Sequence, residues 1–140
     1  MITIEQAIEF AFNAHKGQKD LEGKPEIMHP MIVGMQGDNR EEKIAGILHD
    51  VVEDTNYTID DLMKIGVDEN ILTALSLLTH DKAKMTYDEY VKRIAASGNQ
   101  IAIHVKLNDL RHNLSRGKAH GHVELVKKHT DAYNYLLSKL

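Results

Sequence analysis

Residues 48–55 read Leu-His-Asp-Val-Val-Glu-Asp-Thr, so one imidazole and three carboxylates (His49, Asp50, Glu53 and Asp54) fall within six positions of an otherwise apolar run. Read as one helix over 44–54, the segment puts Ile44, Ala45, Ile47, Leu48, Val51 and Val52 on one arc and the four polar residues on the other. No Lys or Arg occurs between Ile44 and Met63, so nothing local neutralises the carboxylates. A divalent cation is the simplest external source of that charge. An acidic helix face is ordinarily just solvated, so the case for a metal depends on further donors elsewhere.

Two such donors stand out. His29 directly precedes Pro30, which predicts a non-helical His29 at a helix entrance and Pro30 as first residue of a helix through Met31, Ile32, Val33 and Met35. Further on, Ile103, Leu107, Leu110 and Leu114 keep helical spacing, while Lys106, Asp109, His112, Asn113 and Arg116 share the opposite side. His29, His49, Asp50 and Asp109, drawn from three helices, make a mixed nitrogen and oxygen shell suited to a divalent transition metal. Gly46 lies one turn before His49, where it either leaves room for a substrate or lets two helices pack closely.

Taken in order, His15-Lys16-Gly17-Gln18, Gly23-Lys24-Pro25, Ile27-Met28-His29-Pro30, the 48–55 segment, Lys106-Leu107-Asn108-Asp109 and His112-Asn113-Leu114 span most of the chain. In that order and spacing the sequence resembles the HD-domain metal-dependent phosphohydrolases, and among them the hydrolase domain of the RelA/SpoT alarmone enzymes. The loop wording Gly-Gln-Lys-Asp-Leu-Glu-Gly-Lys-Pro looks closer to small stand-alone members. The resemblance implies a manganese-type divalent metal held by His29, His49, Asp50 and Asp109, with Glu53 and Asp54 handling the attacking water. It implies an enzyme that removes 3′-pyrophosphate from ppGpp or pppGpp, and a small-molecule nucleotide as partner.

Substrate contacts depart from the family pattern. Where long alarmone hydrolases carry an Arg-Lys pair and a tyrosine, this chain has Asp20, Leu21 and Glu26. Lys19 and Lys24 stand nearby as replacements, Asn113 matches the family's nucleoside-facing asparagine, and Arg116 replaces a threonine. The altered loop keeps open an HD phosphohydrolase acting on an adenosine analogue or the 2′-phosphate of NADPH, and a nucleotide sensor without turnover is the further alternative if Asp50, Glu53 or Asp54 is dispensable.

The elements that must position these residues are all helical. Thr3-Ile4-Glu5-Gln6 is a capping-box pattern, followed by Ile4, Ala7, Ile8, Ala11 and Ala14 at helical spacing up to Gly17. Thr58 begins a short helix stopped near Gly66, Asp68 caps the next, and Thr86 opens another that ends at Ser97-Gly98-Asn99. Ile101, Ile103, Val105 and Leu107 alternate like a strand, but their continuation into Leu110 and Leu114 favours helix. Val123, Val126, His129, Tyr133, Leu136 and Leu137 form the stripe of a closing amphipathic helix. The expected fold is an all-α, single-domain helical bundle of the HD-domain type, occupying 1–140.

The remaining candidates have structural readings. His80, His104, His120, His122 and His129 read as surface or hydrogen-bonded core, and His120-Gly-His122 as a loop without nearby carboxylates. His15 reads as support for the loop after it, and Lys106 as an ion-pair partner of Asp109. Tyr87, Tyr90 and Arg93 are candidates to line the pocket. At 140 residues the chain has room for one core and none for a nucleotide-synthesising module, so an alarmone enzyme of this length is expected only to degrade. A net charge of −4 speaks against a nucleic-acid partner. The absence of cysteine leaves imidazole and carboxylate as the metal donors. No apolar run approaches about 20 residues and the start Met-Ile-Thr-Ile-Glu-Gln has no basic region, so no membrane partner and a cytoplasmic location are expected.

Overall fold

The computed structural model describes all of residues 1–140, and nine helices carry the chain. They are α1 (Ile4–Ala14), α2 (Met28–Met35), α3 (Arg40–Leu48), α4 (Val51–Asp54), α5 (Ile59–Lys64), α6 (Glu69–Leu78), α7 (Tyr87–Ser97), α8 (Gln100–Ala119) and α9 (Val123–Ser138). There is no sheet; one isolated bridge, Lys19 to Pro25, closes the α1–α2 loop on itself. The all-α bundle is therefore the observed architecture, and no helix is long and apolar enough to cross a membrane.

Local chemistry explains the helix starts. Thr3 with Gln6, Thr58 with Asp61 and Thr86 with Glu89 each form a reciprocal capping box. In each, the threonine oxygen accepts an orphan N–H and the longer side chain takes the cap's own N–H, together worth about 0.5–2 kcal/mol. Asp68 occupies the start of α6 but does not cap it, because its carboxylate is taken by Arg40, 2.7 Å away. Gly98 stops α7 in the left-handed region at φ 64°, where a side chain would be strained.

α8 runs through the middle, packed against α2, α3, α6, α7 and α9. Residues Val105 to Leu110 are buried without interruption, which a surface stripe could not be. The alternation seen around Ile103 is thus the signature of a helix covered on several sides, not of a strand. Ile44 and Leu48 of α3, Leu75 of α6, Ile94 of α7, Leu110 of α8 and Leu136 of α9 are buried members of one hydrophobic core. Deleting any of these side chains to alanine costs about 2–5 kcal/mol.

Two sequence expectations fail in their geometry. The 44–54 helix is not continuous: α3 ends at Leu48 and α4 resumes at Val51, with His49 and Asp50 at the break. Nor is His29 excluded from its helix. α2 begins at Met28, because the Met28 and His29 N–H groups already bond to Pro25 and Glu26 at 3.3 and 3.0 Å, and Pro30 then falls in the first turn, where its missing N–H costs nothing.

The α2–α3 crossing also decides between the two readings of Gly46. A Cβ there would lie 2.9 Å from both the Cα and N of Gly34 in α2, so this glycine serves close backbone packing and opens no space for a ligand.

Candidate metal centre and cavity

α2, the α3–α4 break and α8 converge on one point. His29 Nε2 is 2.7 Å from Asp109 Oδ1 and 3.7 Å from Asp50 Oδ2; His49 Nε2 is 3.2 and 3.1 Å from the same two oxygens. The four residues named from spacing are therefore brought together. The donor atoms of His29, His49 and Asp50 lie within 4.8 Å of one another. Their chemistry, two imidazole nitrogens and two carboxylate oxygens with no thiolate, fits a divalent transition metal.

The break at His49 has a local cause. His49 Nδ1 donates to the Gly46 carbonyl at 2.6 Å, the acceptor that a continuing helix would offer to the next turn. A carbonyl can only accept, so Nδ1 carries the proton and Nε2 is the nitrogen presented to the centre. The ring thus ends the helix and aims itself in one bond.

Electrostatics at the centre are set by burial and by neighbours. Burial opposes charge on His49, yet Asp50 and Asp109 hold its imidazole well above the usual histidine range. Burial likewise works against ionised Asp109, but Lys106, His29 and His49 hold it well below the carboxylate range. Lys106, itself buried, reaches Asp109 Oδ2 at 2.9 Å and lies over the rings of Tyr87 and Tyr90 at 5.5 and 5.0 Å. It is an ion-pair partner, as expected, seated on aromatic faces that lower the cost of its burial.

Glu53 and Asp54 flank this point on α4. Glu53 Oε1 accepts from the His80 backbone N–H at 2.7 Å, which fixes the carboxylate against the α6–α7 loop. Asp54 is pushed up to about 7 by burial and then by the charges of Asp50 and Glu53. Its backbone oxygen accepts from Gln18 Nε2 at 2.8 Å, and Gln18 Oε1 in turn meets His15 Nδ1 at 2.8 Å. His15 therefore supports the loop, as its position after α1 suggested.

A small cavity of about 220 Å³ holds the converging donors, and a larger one of about 660 Å³ adjoins it. His29, Asp54, Lys82, Asn113, Arg116 and His129 line both, so the two are continuous. Lys19 and Lys24 stand on the outer wall of the larger cavity. Asn113 bridges Asp109 Oδ1 at 3.2 Å and the Arg116 guanidinium at 2.8 Å, and Arg116 lies 3.7 Å from Glu26. All four expected substrate residues thus border the cavity.

Other placements differ from expectation. His120 and His122 do have a carboxylate: Glu22 reaches across from the α1–α2 loop, 2.6 Å from His122 Nε2 and 3.6 Å from His120 Nδ1. Nothing local in sequence announces a partner about a hundred residues away. Arg93 does not line the cavity; its guanidinium donates to the Leu77 carbonyl at 2.9 Å, closing the end of α6. Tyr87 and Tyr90 do line the smaller space.

Lining residues to which the sequence assigned no such place include Lys82, His112, Lys128 and His129. The α9 stripe is inward at Val126, His129, Tyr133 and Leu136 as expected, with Val123 and Leu137 exposed instead, and His129 on it lines the cavity. Burial holds the His129 and His112 imidazoles down near about 4, so both are neutral at ordinary pH. A lysine and a histidine side by side within an apolar stripe was the available signal.

No protein-family model matches the chain. Among curated proteins, the GTP pyrophosphokinase of Streptomyces coelicolor is 33% identical over 120 residues, 79% of this chain and 14% of that protein. The guanosine-3′,5′-bis(diphosphate) 3′-pyrophosphohydrolase of Borreliella burgdorferi is 34% identical over 126 residues, 81% of this chain and 19% of that protein. The bifunctional (p)ppGpp synthase/hydrolase SpoT of Escherichia coli is 32% identical over 123 residues, covering 79% and 17%. The chain therefore spans less than a fifth of the length of these relatives. A solved structure described as a metazoan ortholog of SpoT that hydrolyzes ppGpp shares the fold, with a TM-score of 0.71 over 93% of this chain and 84% of that one, at 22% identity.

Proposed function

The chain belongs to the HD-type hydrolase family of the RelA/SpoT enzymes, and we propose that it works as one hydrolase domain that removes 3′-pyrophosphate from guanosine alarmones, taking ppGpp or pppGpp to GDP or GTP. The observation that carries this reading is the convergence of two imidazole nitrogens and two carboxylates beside Glu53 and Asp54, at the floor of a cavity walled by Lys19, Lys24, Lys82 and Arg116. A volume of about 660 Å³ is in the range that accepts a nucleotide-sized ligand.

His29, His49, Asp50 and Asp109 would hold a divalent cation, manganese by family likeness. Such an ion supplies Lewis acidity toward a phosphate oxygen and toward water. The chain's own residues do the rest. Asp54, poised near neutrality, takes the proton of the attacking water, and Glu53, pinned by the His80 N–H, orients that water. Cationic side chains on the cavity wall neutralise the departing pyrophosphate. Asn113, held between Asp109 and Arg116, presents its amide toward the nucleoside. The cytoplasm is the location that goes with this reading.

A second reading is favoured by the loop chemistry. Asp20, Leu21 and Glu26 border the cavity where, by family likeness, the long enzymes carry basic and aromatic residues, which leaves room for a different nucleotide, such as an adenosine analogue or NADPH. The purified protein with Mn2+ is to be offered ppGpp, pppGpp, their adenosine counterparts and NADPH, with products identified by mass. GDP or GTP plus pyrophosphate is the expected outcome. Turnover of only another nucleotide transfers the assignment to the second reading, and binding without turnover makes the chain a sensor. Glu53→Gln should retain the ion and lose about 10²–10⁴-fold in rate; parent-like rates would remove Glu53 from the mechanism.

A further inference from the structure

Each imidazole at the centre has two nitrogens, and only one can face the ion, so something must hold the proton on the other. For His49 that partner is the Gly46 carbonyl. His29 has no such carbonyl: those one turn back, of Pro25 and Glu26, already accept the N–H groups of Met28 and His29. Its Nδ1 instead lies 2.7 Å from Nδ1 of His112, with the two rings within 16° of parallel.

A contact between two imidazole nitrogens contains one proton. Without an ion the 2.7 Å contact with Asp109 has Nε2 donate a proton of its own, whereas with an ion at the centre His29 must direct a bare Nε2 at it, so its proton resides on Nδ1 and His112 Nδ1 is the acceptor. His112 must then keep its own proton on Nε2. His112 lies one turn beyond Asp109 on α8, so a single helix grips His29 at both nitrogens, with a carboxylate on one side and an acceptor on the other.

We infer that His112 is a positioning residue for the metal centre: it fixes the tautomer and ring plane of His29 through an Nδ1–H···Nδ1 bond and thereby sets the affinity of the site for its ion. The inference rests on the reading of His29 as a ligand, and adds a role toward the ion for a cavity-lining residue that does not itself face it. Removal of such an outer partner ordinarily costs 10–100-fold in metal affinity.

Chelator-stripped parent, His29→Ala, His112→Leu and His112→Gln are to be titrated with Mn2+ by calorimetry, after circular dichroism has checked that each is folded. His112→Leu should bind about 10–100-fold more weakly, and His112→Gln, whose side-chain carbonyl is again an acceptor, should recover most of the loss. Parent-like affinity in a folded His112→Leu overturns the inference while loss of binding in His29→Ala keeps the metal reading; parent-like affinity in His29→Ala overturns both. Nitrogen NMR of the Zn2+-loaded parent provides a test independent of any variant: a His29 ring protonated at Nδ1 and bonded to a His112 ring protonated at Nε2 is expected, and a His29 ring without its Nδ1 proton overturns the inference.

Discussion

The floor and the rim of the cavity are built on opposite principles. At the floor the converging donors have specific, buried partners: His49 on the Gly46 carbonyl, His29 between Asp109 and His112, Asp109 on Lys106. At the rim the α1–α2 loop carries Lys19, Lys24 and Glu22 on an exposed turn, tied to the far wall by Glu22 with His122 and by Glu26 with Arg116. Rigid packing at the floor fixes the geometry that the chemistry needs, and a lightly held rim can be recomposed without disturbing it. This is how the loop departs from the alarmone-enzyme pattern at Asp20, Leu21 and Glu26 while the donor set stays intact.

The sharpest way to break the contrast is at the floor. Asp109→Ala removes a donor and strands the Lys106 ammonium in the core, so it should cost about 3–5 kcal/mol of stability along with metal retention; thermal unfolding and metal analysis check both, and an unchanged midpoint would show the floor to be as tolerant as the rim. A rim change should behave in the opposite way. Lys19→Ala with Lys24→Ala is expected to raise KM by roughly ten-fold, the loss of about 1.4 kcal/mol of binding, and to leave the unfolding midpoint where it is.

The smallest effect tests the boundary between the two regions. Asp54 is raised from 3.8 to about 7 in the fold, by burial and then by Asp50 and Glu53. Its protonated form therefore favours folding fully below about pH 4, and that contribution is lost as pH rises through about 7. In metal-free protein at pH 8, Asp54→Asn should be the more stable by about 1 kcal/mol or less, given its exposure to solvent, and the advantage should vanish by pH 4 even as turnover falls. A variant less stable than the parent at pH 8 would assign Asp54 to the structural floor.

Legibility from sequence followed the same division. Helical period, capping boxes and the His-Pro, His-Asp and late Asp placements made the all-α fold and the donor set readable, because each is a local pattern. The break at His49 was not readable, since 44–54 keeps its helical period across it and only the side-chain bond to Gly46 reveals the interruption. Glu22 with His122, and His29 with His112, are pairings between segments 100 and 83 residues apart, respectively, and no spacing rule reports them. On α9 the expected stripe holds at Val126, His129, Tyr133 and Leu136, while Val123 and Leu137 are exposed despite their apolar side chains.

Lys106 has one more consequence. Its ammonium, seated over Tyr87 and Tyr90, already balances one of the two carboxylates at the floor. A doubly charged ion placed there would then be met by Asp50 and Glu53, which bring the floor close to neutral. An anionic ligand would then meet little repulsion from the floor, so the pull on polyphosphate comes from the cationic side chains of the walls.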